Sequence, residues 1–190
     1  MNKKLLVSIA AAFLIITSCN TNQGNDSEKV ADKKNEQKAD SSATAGKIED
    51  DSKFVVKATS GVTMEVKLGK YAEQNAVSPA VKNFGATMLK DHSKDKEELT
   101  KLAAAKNITI PAVTGEDFQK HIDEITSKKG ADFDKAYISF MVSDHKDDIS
   151  EFEKEVKDGQ DAEIKAFASK GIPVLQHHLD MAKSINDQLK

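Results

Sequence analysis

The sequence predicts an all-α fold, a four-helix bundle with a short extra helix in its middle crossover. Apolar residues recur at three- and four-residue spacing along four long stretches, the signature of helices with one buried face. Serine, aspartate, glycine and proline stand where these stretches start and stop. No segment alternates apolar and polar residues as a half-buried strand would.

Residues 1–18 are expected to be a lipoprotein signal peptide. Lys3 and Lys4 precede an apolar run, Leu5 to Ile16, that is too short to span a bilayer. Ile16-Thr17-Ser18-Cys19 resembles the lipobox, and Cys19 is the sole cysteine, so it is the predicted lipidation site and the membrane anchor. By analogy with lipoprotein sorting, Asn20 lacks the aspartate of an inner-membrane retention signal. The expected location is therefore the outer membrane of a bacterial envelope, facing the periplasm. Residues 19–52, with almost no apolar side chains between Asn20 and Asp51, read as the lipidated cysteine and a disordered polar tether. A flexible chain of about thirty residues typically spans about 30 Å.

Residues 53–190 form the predicted folded domain. Its first helix runs from Phe54 to Asn75, with Val55, Ala58, Val62, Glu65, Leu68 and Ala72 on one face. Ser78-Pro79 opens the second, because serine suits the N-cap and proline the first helical position. That helix continues to about Lys106, and Pro111 marks a loop. Glu116 to Lys129 is the short amphipathic helix, ended by Gly130. The third long helix runs from Phe133 to about Lys157. Asp161 caps the last one, which Gly171 and Pro173 are expected to kink.

Composition removes several functional classes. All 28 basic residues are lysine, tryptophan is absent, and the formal charge is −3 with both signs interspersed. A nucleic-acid partner is not expected, since that calls for a basic patch with arginine and stacking aromatics. There is no Gly-rich phosphate loop, and the predicted domain holds no thiol nucleophile.

The pattern resembles a known family, the bacterial ferritin-like domain of unknown function 4142, often labelled an outer-membrane protein. The resemblance spans nearly the whole domain. It rests on Phe54-Val55 with Ala58, Glu65-Val66 with Leu68-Gly69, Met88 with Asp91-His92, Phe133-Asp134 with Tyr137, Met141 with His145, and Pro173 with His178. It implies a ferritin-like four-helix bundle in an envelope setting. It implies no reaction, because the family's activity is uncharacterised.

One internal repeat points to a site. Met88, His92 and Asp95 return as Met141, His145 and Asp148, each set at i, i+4 and i+7 on one helix face. Phe84 aligns with Tyr137, and Leu99 with Phe152, so the face points into a core. His178 and Glu65 lie mid-helix on the other two long helices, which allows all four to share one layer. Met88 and Met141 precede their histidines by one turn, and Met181 follows His178. Two ligand sets compete: three thioethers with three imidazoles, suited to copper, or His92, His145 and His178 with Glu65, Asp95 and Asp148, suited to iron, manganese or zinc. Asp91 and Asp144 are candidates to orient the rings from behind. The ferritin-type Glu-x-x-His is absent, since Leu89, Val142 and Leu175 occupy the glutamate positions.

The plain alternative is a buried His/Asp network without metal, in a non-enzymatic envelope module that docks another protein. Methionine is a common core filler, and His121 and His177 read as surface residues. The leading expectation is a lipoprotein that binds a transition metal, copper or iron, in metal or stress handling. A binding role is favoured over an enzymatic one, and no particular protein partner is indicated.

Overall fold

The computed structural model describes residues 26–39 and 45–190. The expected signal peptide and Cys19 lie outside them. Six helices are described: α1 (Ser27–Ala39), α2 (Ala45–Asn75), α3 (Pro79–Ala105), α4 (Glu116–Ser127), α5 (Gly130–Asp158) and α6 (Ala162–Gln188). No strand occurs among the described residues, and no described helix is long and apolar enough to cross a membrane.

Four long helices make the bundle. α2 pairs along α3 and α5 along α6, while the crossover between the pairs carries α4 against α2 and α5. The apolar residues fall into two clusters that reveal how the helices run. One contains Leu68, Phe84, Tyr137 and Ile185, and the other contains Phe54, Leu99, Phe152 and Ile164. The second half of α2 thus shares an end with the first halves of α3 and α5 and the second half of α6. Within each pair the helices are antiparallel, and α3 and α5 run parallel.

Close approach of α2 and α3 depends on two glycines. A Cβ on Gly85 would fall 2.8 Å from Ala72 Cβ, Glu73 N and Gly69 O, and one on Gly69 would fall 2.9 Å from Gly85 O and Leu89 N. Only a bare backbone fits at this crossing.

Helix starts are tied across the bundle by carboxylates. Ser78 precedes α3 as expected, yet its side chain makes no capping bond. Buried Asp134 on α5 does so instead, accepting from Val77 N at 3.2 Å and Ser78 N at 2.7 Å. Asp161 caps α6 by accepting from the Glu163 and Ile164 amides. Asp51 on α2 in turn accepts from the Gln160 and Asp161 amides at 2.9 and 2.6 Å.

Three expectations need correction. The segment read as a disordered tether is ordered in part, because Ser27–Ala39 is helical and α2 begins at Ala45 rather than Phe54. Ala31, Asn35 and Ala39, four residues apart, form the buried stripe of α1. Asn35 donates to Thr109 O at 2.9 Å and accepts from Thr109 N at 2.7 Å, so polar docking substitutes for missing apolar area. Second, α5 begins at Gly130, whose φ of +58 suits glycine, instead of at Phe133. Third, α6 is one helix that continues through Gly171 and Pro173, so any kink there does not break it. Proline removes one amide donor there, while buried Ala168, Leu175 and Leu179 anchor the helix on both sides.

Candidate metal centre

Between the two apolar clusters lies a polar layer. On α2, Glu65 falls between Val62 and Leu68, which belong to opposite clusters. On α3, α5 and α6 the same holds for His92, His145 and His178. Each helix thus places one of these residues between the two clusters, at the same height. All four residues are at most 2% exposed.

The three imidazoles meet edge to face. Ring centroids lie 5.0 Å apart for His92 and His178, 5.6 Å for His145 and His178, and 5.8 Å for His92 and His145. Glu65 faces them from α2, with Oε2 3.3 Å from His92 Nδ1 and Oε1 3.6 Å from His145 Nε2. Two donor groups result, each with ligand atoms within 4.8 Å of one another: His92, His145 and His178, and Glu65, Asp144, His145 and Asp148. His145 belongs to both.

The expected carboxylates divide among different tasks. Asp148 joins the second group, as Asp144 does; Asp144 is therefore a candidate ligand rather than an outer partner. Asp95, partly exposed, approaches His92 Nδ1 at 3.3 Å. Asp91 does sit behind a ring, 3.1 Å from His178 Nε2. The methionines take a separate place. Met88 and Met141 are fully buried in the Leu68–Phe84–Tyr137 cluster and Met181 packs against it, so all three border the layer on one side. His177 and His121 are exposed, the latter with its ring 4.8 Å from Phe140.

Many polar atoms of the layer have no hydrogen-bond partner. His92 Nε2, His145 Nε2, His178 Nδ1, Glu65 Oε1 and Asp144 Oδ2 make no well-formed hydrogen bond, and His92 Nδ1 has only the 3.3 Å approaches of Glu65 and Asp95. A buried polar group left unpaired costs about 1–3 kcal/mol, so these atoms favour any partner, water or ligand, that reaches them. A cation bound by several of these atoms would satisfy them together, and the imidazole and carboxylate donors fit iron, manganese or zinc.

Burial also governs the charge states of the layer. Burial pushes the Glu65 carboxyl well above the ordinary carboxylate range, reinforced by Asp148, Asp144 and Asp95. Burial and then Asp148 do the same to Asp144, and Asp148 is pushed up to about 7 by burial and Glu151. Burial and the neighbouring imidazoles of His92 and His178 hold His145 well below the usual histidine range. Burial also lowers His178, against the opposing pull of Asp91. Burial thus favours the uncharged forms of these carboxyls and imidazoles, and a bound cation would favour the ionised carboxylates instead.

Tyr137, read from the sequence as a core-face residue, also brings a polar group to the layer. Its hydroxyl is buried without a partner, and burial together with Glu65 and Asp144 raises its pKa well above the usual phenol value. In the internal repeat it replaces Phe84, so the added hydroxyl was the one available signal.

No curated protein and no solved structure gives a significant match to the chain. A family model described as Domain of unknown function (DUF4142) matches residues 35–185, a span that takes in the last part of α1, the whole polar layer and most of α6. The chain belongs to the DUF4142 family.

Proposed function

We propose that this protein is a transition-metal-binding helical-bundle lipoprotein whose metal sits in the mid-bundle layer. One observation carries the reading: three buried histidines from three helices converge on one another, and two of them, His92 and His145, also face the buried Glu65 carboxyl. His92, His145 and His178 offer one set of ligands, and Glu65, Asp144, His145 and Asp148 an adjoining one. This nitrogen–oxygen set favours iron, manganese or zinc over Cu(I), which prefers thioether sulfur. Met88, Met141 and Met181 belong to the neighbouring apolar cluster, and a copper site would have to recruit them from it.

A metal-free His/Asp network has the His178–Asp91 pair and the approach of His92 to Glu65 and Asp95 in its favour. It accounts poorly for the rest of the layer, because a structural network is retained when its members are satisfied.

A panel of Fe(II), Mn(II), Zn(II) and Cu(I), added to metal-free protein under anaerobic conditions, tests the reading by thermal unfolding. Ligand at one hundred times its dissociation constant stabilises a fold by about 2.7 kcal/mol. For a domain of this size that corresponds to a rise in midpoint of roughly 8 °C. His92→Ala and His178→Ala should remove the rise. Midpoints that no metal moves would overturn the reading, and a rise with Cu(I) alone would replace the ligand set with the methionines.

The envelope setting belongs to the same proposal. Cys19 carries the lipid, and the seven peptide links from Cys19 to Asp26 reach at most about 25 Å. With α1 docked on α2, the bundle is held closer to the membrane than a free tether would hold it. Membrane fractionation of wild-type and Cys19→Ser protein tests this; an unchanged distribution would refute lipid anchoring.

A further inference from the structure

A cavity of about 190 Å³ opens between the four long helices on the Glu65 and His92 side of the polar layer. Its walls are apolar, formed by Val62, Phe152, Phe167 and Leu175. At its polar end stand Glu65, His92 and Asp148. Glu65 and His92 are 2% and 1% exposed, and Glu65 Oε1 and His92 Nε2 make no well-formed hydrogen bond. The cavity thus brings unsatisfied polar atoms and an apolar wall into one enclosure.

Three properties define what fits. The first is size: an apolar cavity of about 150 Å³ accepts benzene, so this one holds a single ring with a small substituent. The second is hydrogen bonding: a protonated Glu65 carboxyl both donates and accepts, and an imidazole can accept through its bare nitrogen, so the occupant should carry a hydroxyl, which can do either. The third is charge. Asp91, Lys94, Asp95, Glu98 and Lys170 also line the cavity. Lys170 is committed to Glu98 by contacts of 2.7 and 2.8 Å. Asp91, Asp95 and Glu98 already outnumber the two lysines, Lys94 and Lys170, and anions are disfavoured.

We propose that this cavity binds a small uncharged molecule of the phenol class, its ring beside Phe152 and Phe167 and its hydroxyl hydrogen-bonded to Glu65 or His92. The site goes beyond the metal reading and does not require a metal.

The test is titration of the metal-free full chain with phenol, followed by calorimetry and by the ring resonances of Phe152 and Phe167. Saturable one-to-one binding with a dissociation constant in the submillimolar to millimolar range is expected. Ala58→Leu, which narrows the cavity from α2, should weaken it at least tenfold. Val174→Trp at the cavity edge should do the same, and keeps the test available if the first variant fails to fold. Benzoate, of similar size but negative, should bind at least tenfold more weakly than phenol. Absence of saturable binding, equal affinity in the folded variants, or benzoate binding as tightly as phenol would overturn the proposal. Because the protein is stripped of metal, failure here leaves the metal reading standing, and failure of metal binding leaves this site standing.

Discussion

Replacing Gly85 with alanine should destabilise the bundle, although alanine is the better helix former. On propensity alone the change in a helix interior gains about 1 kcal/mol. At Gly85, however, the new Cβ meets Ala72 Cβ, Glu73 N and Gly69 O, all at 2.8 Å. Two of these are backbone atoms of the facing helix, so no rotamer change relieves the contact and α2 and α3 must separate. Overpacking of this kind costs about 1–3 kcal/mol, and the unyielding neighbours argue for the upper end. The net expectation is a loss of about 2 kcal/mol, equivalent to a fall in midpoint of roughly 6 °C. The site should suffer too, because Glu65 lies one turn before Gly69 and its 3.3 Å contact with His92 spans the same seam. Urea unfolding monitored by far-UV circular dichroism measures the change. Gly61→Ala is the control, since its Cβ would meet only Phe118, at 3.7 Å and beyond. That variant should gain up to about 1 kcal/mol. If Gly85→Ala is as stable as wild type, or if both variants gain alike, the close crossing of α2 and α3 is wrong.

Other outcomes follow from contacts away from the layer. Glu155 is pushed up to about 7 by burial and then by the adjacent Asp51. Because the folded state holds this proton more tightly than the unfolded chain, its contribution is complete below about pH 4.5 and is lost as pH rises through 7. Glu155→Gln should therefore match wild type at pH 4 and exceed its urea midpoint at pH 8; a difference of opposite sign would contradict the assignment. Asp134→Ala removes the acceptor of the Val77 and Ser78 amides and should cost about 1–2 kcal/mol, with a loss below about 0.5 kcal/mol counting against the cap. Ala31→Glu buries a charge beneath α1, which is 1% exposed at that position. It should make residues 27–39 sensitive to protease while the midpoint of the remaining domain is unchanged, because weakly held elements open locally. Joint loss of both would show that α1 is integral to the core.

The bundle was legible because its signals are local. The Met-x3-His column of α3 recurs on α5, and the apolar spacing around each histidine fixes which face is buried. His178 and Glu65 could be placed in the same layer from their mid-helix positions alone. What escaped was set by partners distant in sequence. α1 has too little apolar surface to announce itself, and it docks through Asn35 on Thr109, 74 residues away. Asp144 and Asp91 occupy matching positions in the repeat, yet only Asp91 faces His178 while Asp144 turns toward Glu65 and Asp148. That difference arises from which helix neighbours α3 and α5, and the repeat itself is blind to it. Ser78 looked like a cap by residue type, whereas the bond is made by Asp134, which no local pattern could nominate.

Metal content of purified, untagged protein tests the central claim most directly. Wild-type and His145→Ala protein, loaded with Fe(II) or Zn(II) and then desalted, should be compared by elemental analysis alongside their far-UV spectra. His145 is the one residue common to both donor groups. At least one metal ion per wild-type chain is predicted, with none retained by His145→Ala and an unchanged helical spectrum. Wild-type protein that holds no metal, or a variant that holds as much as wild type, would contradict a metal centre in the polar layer.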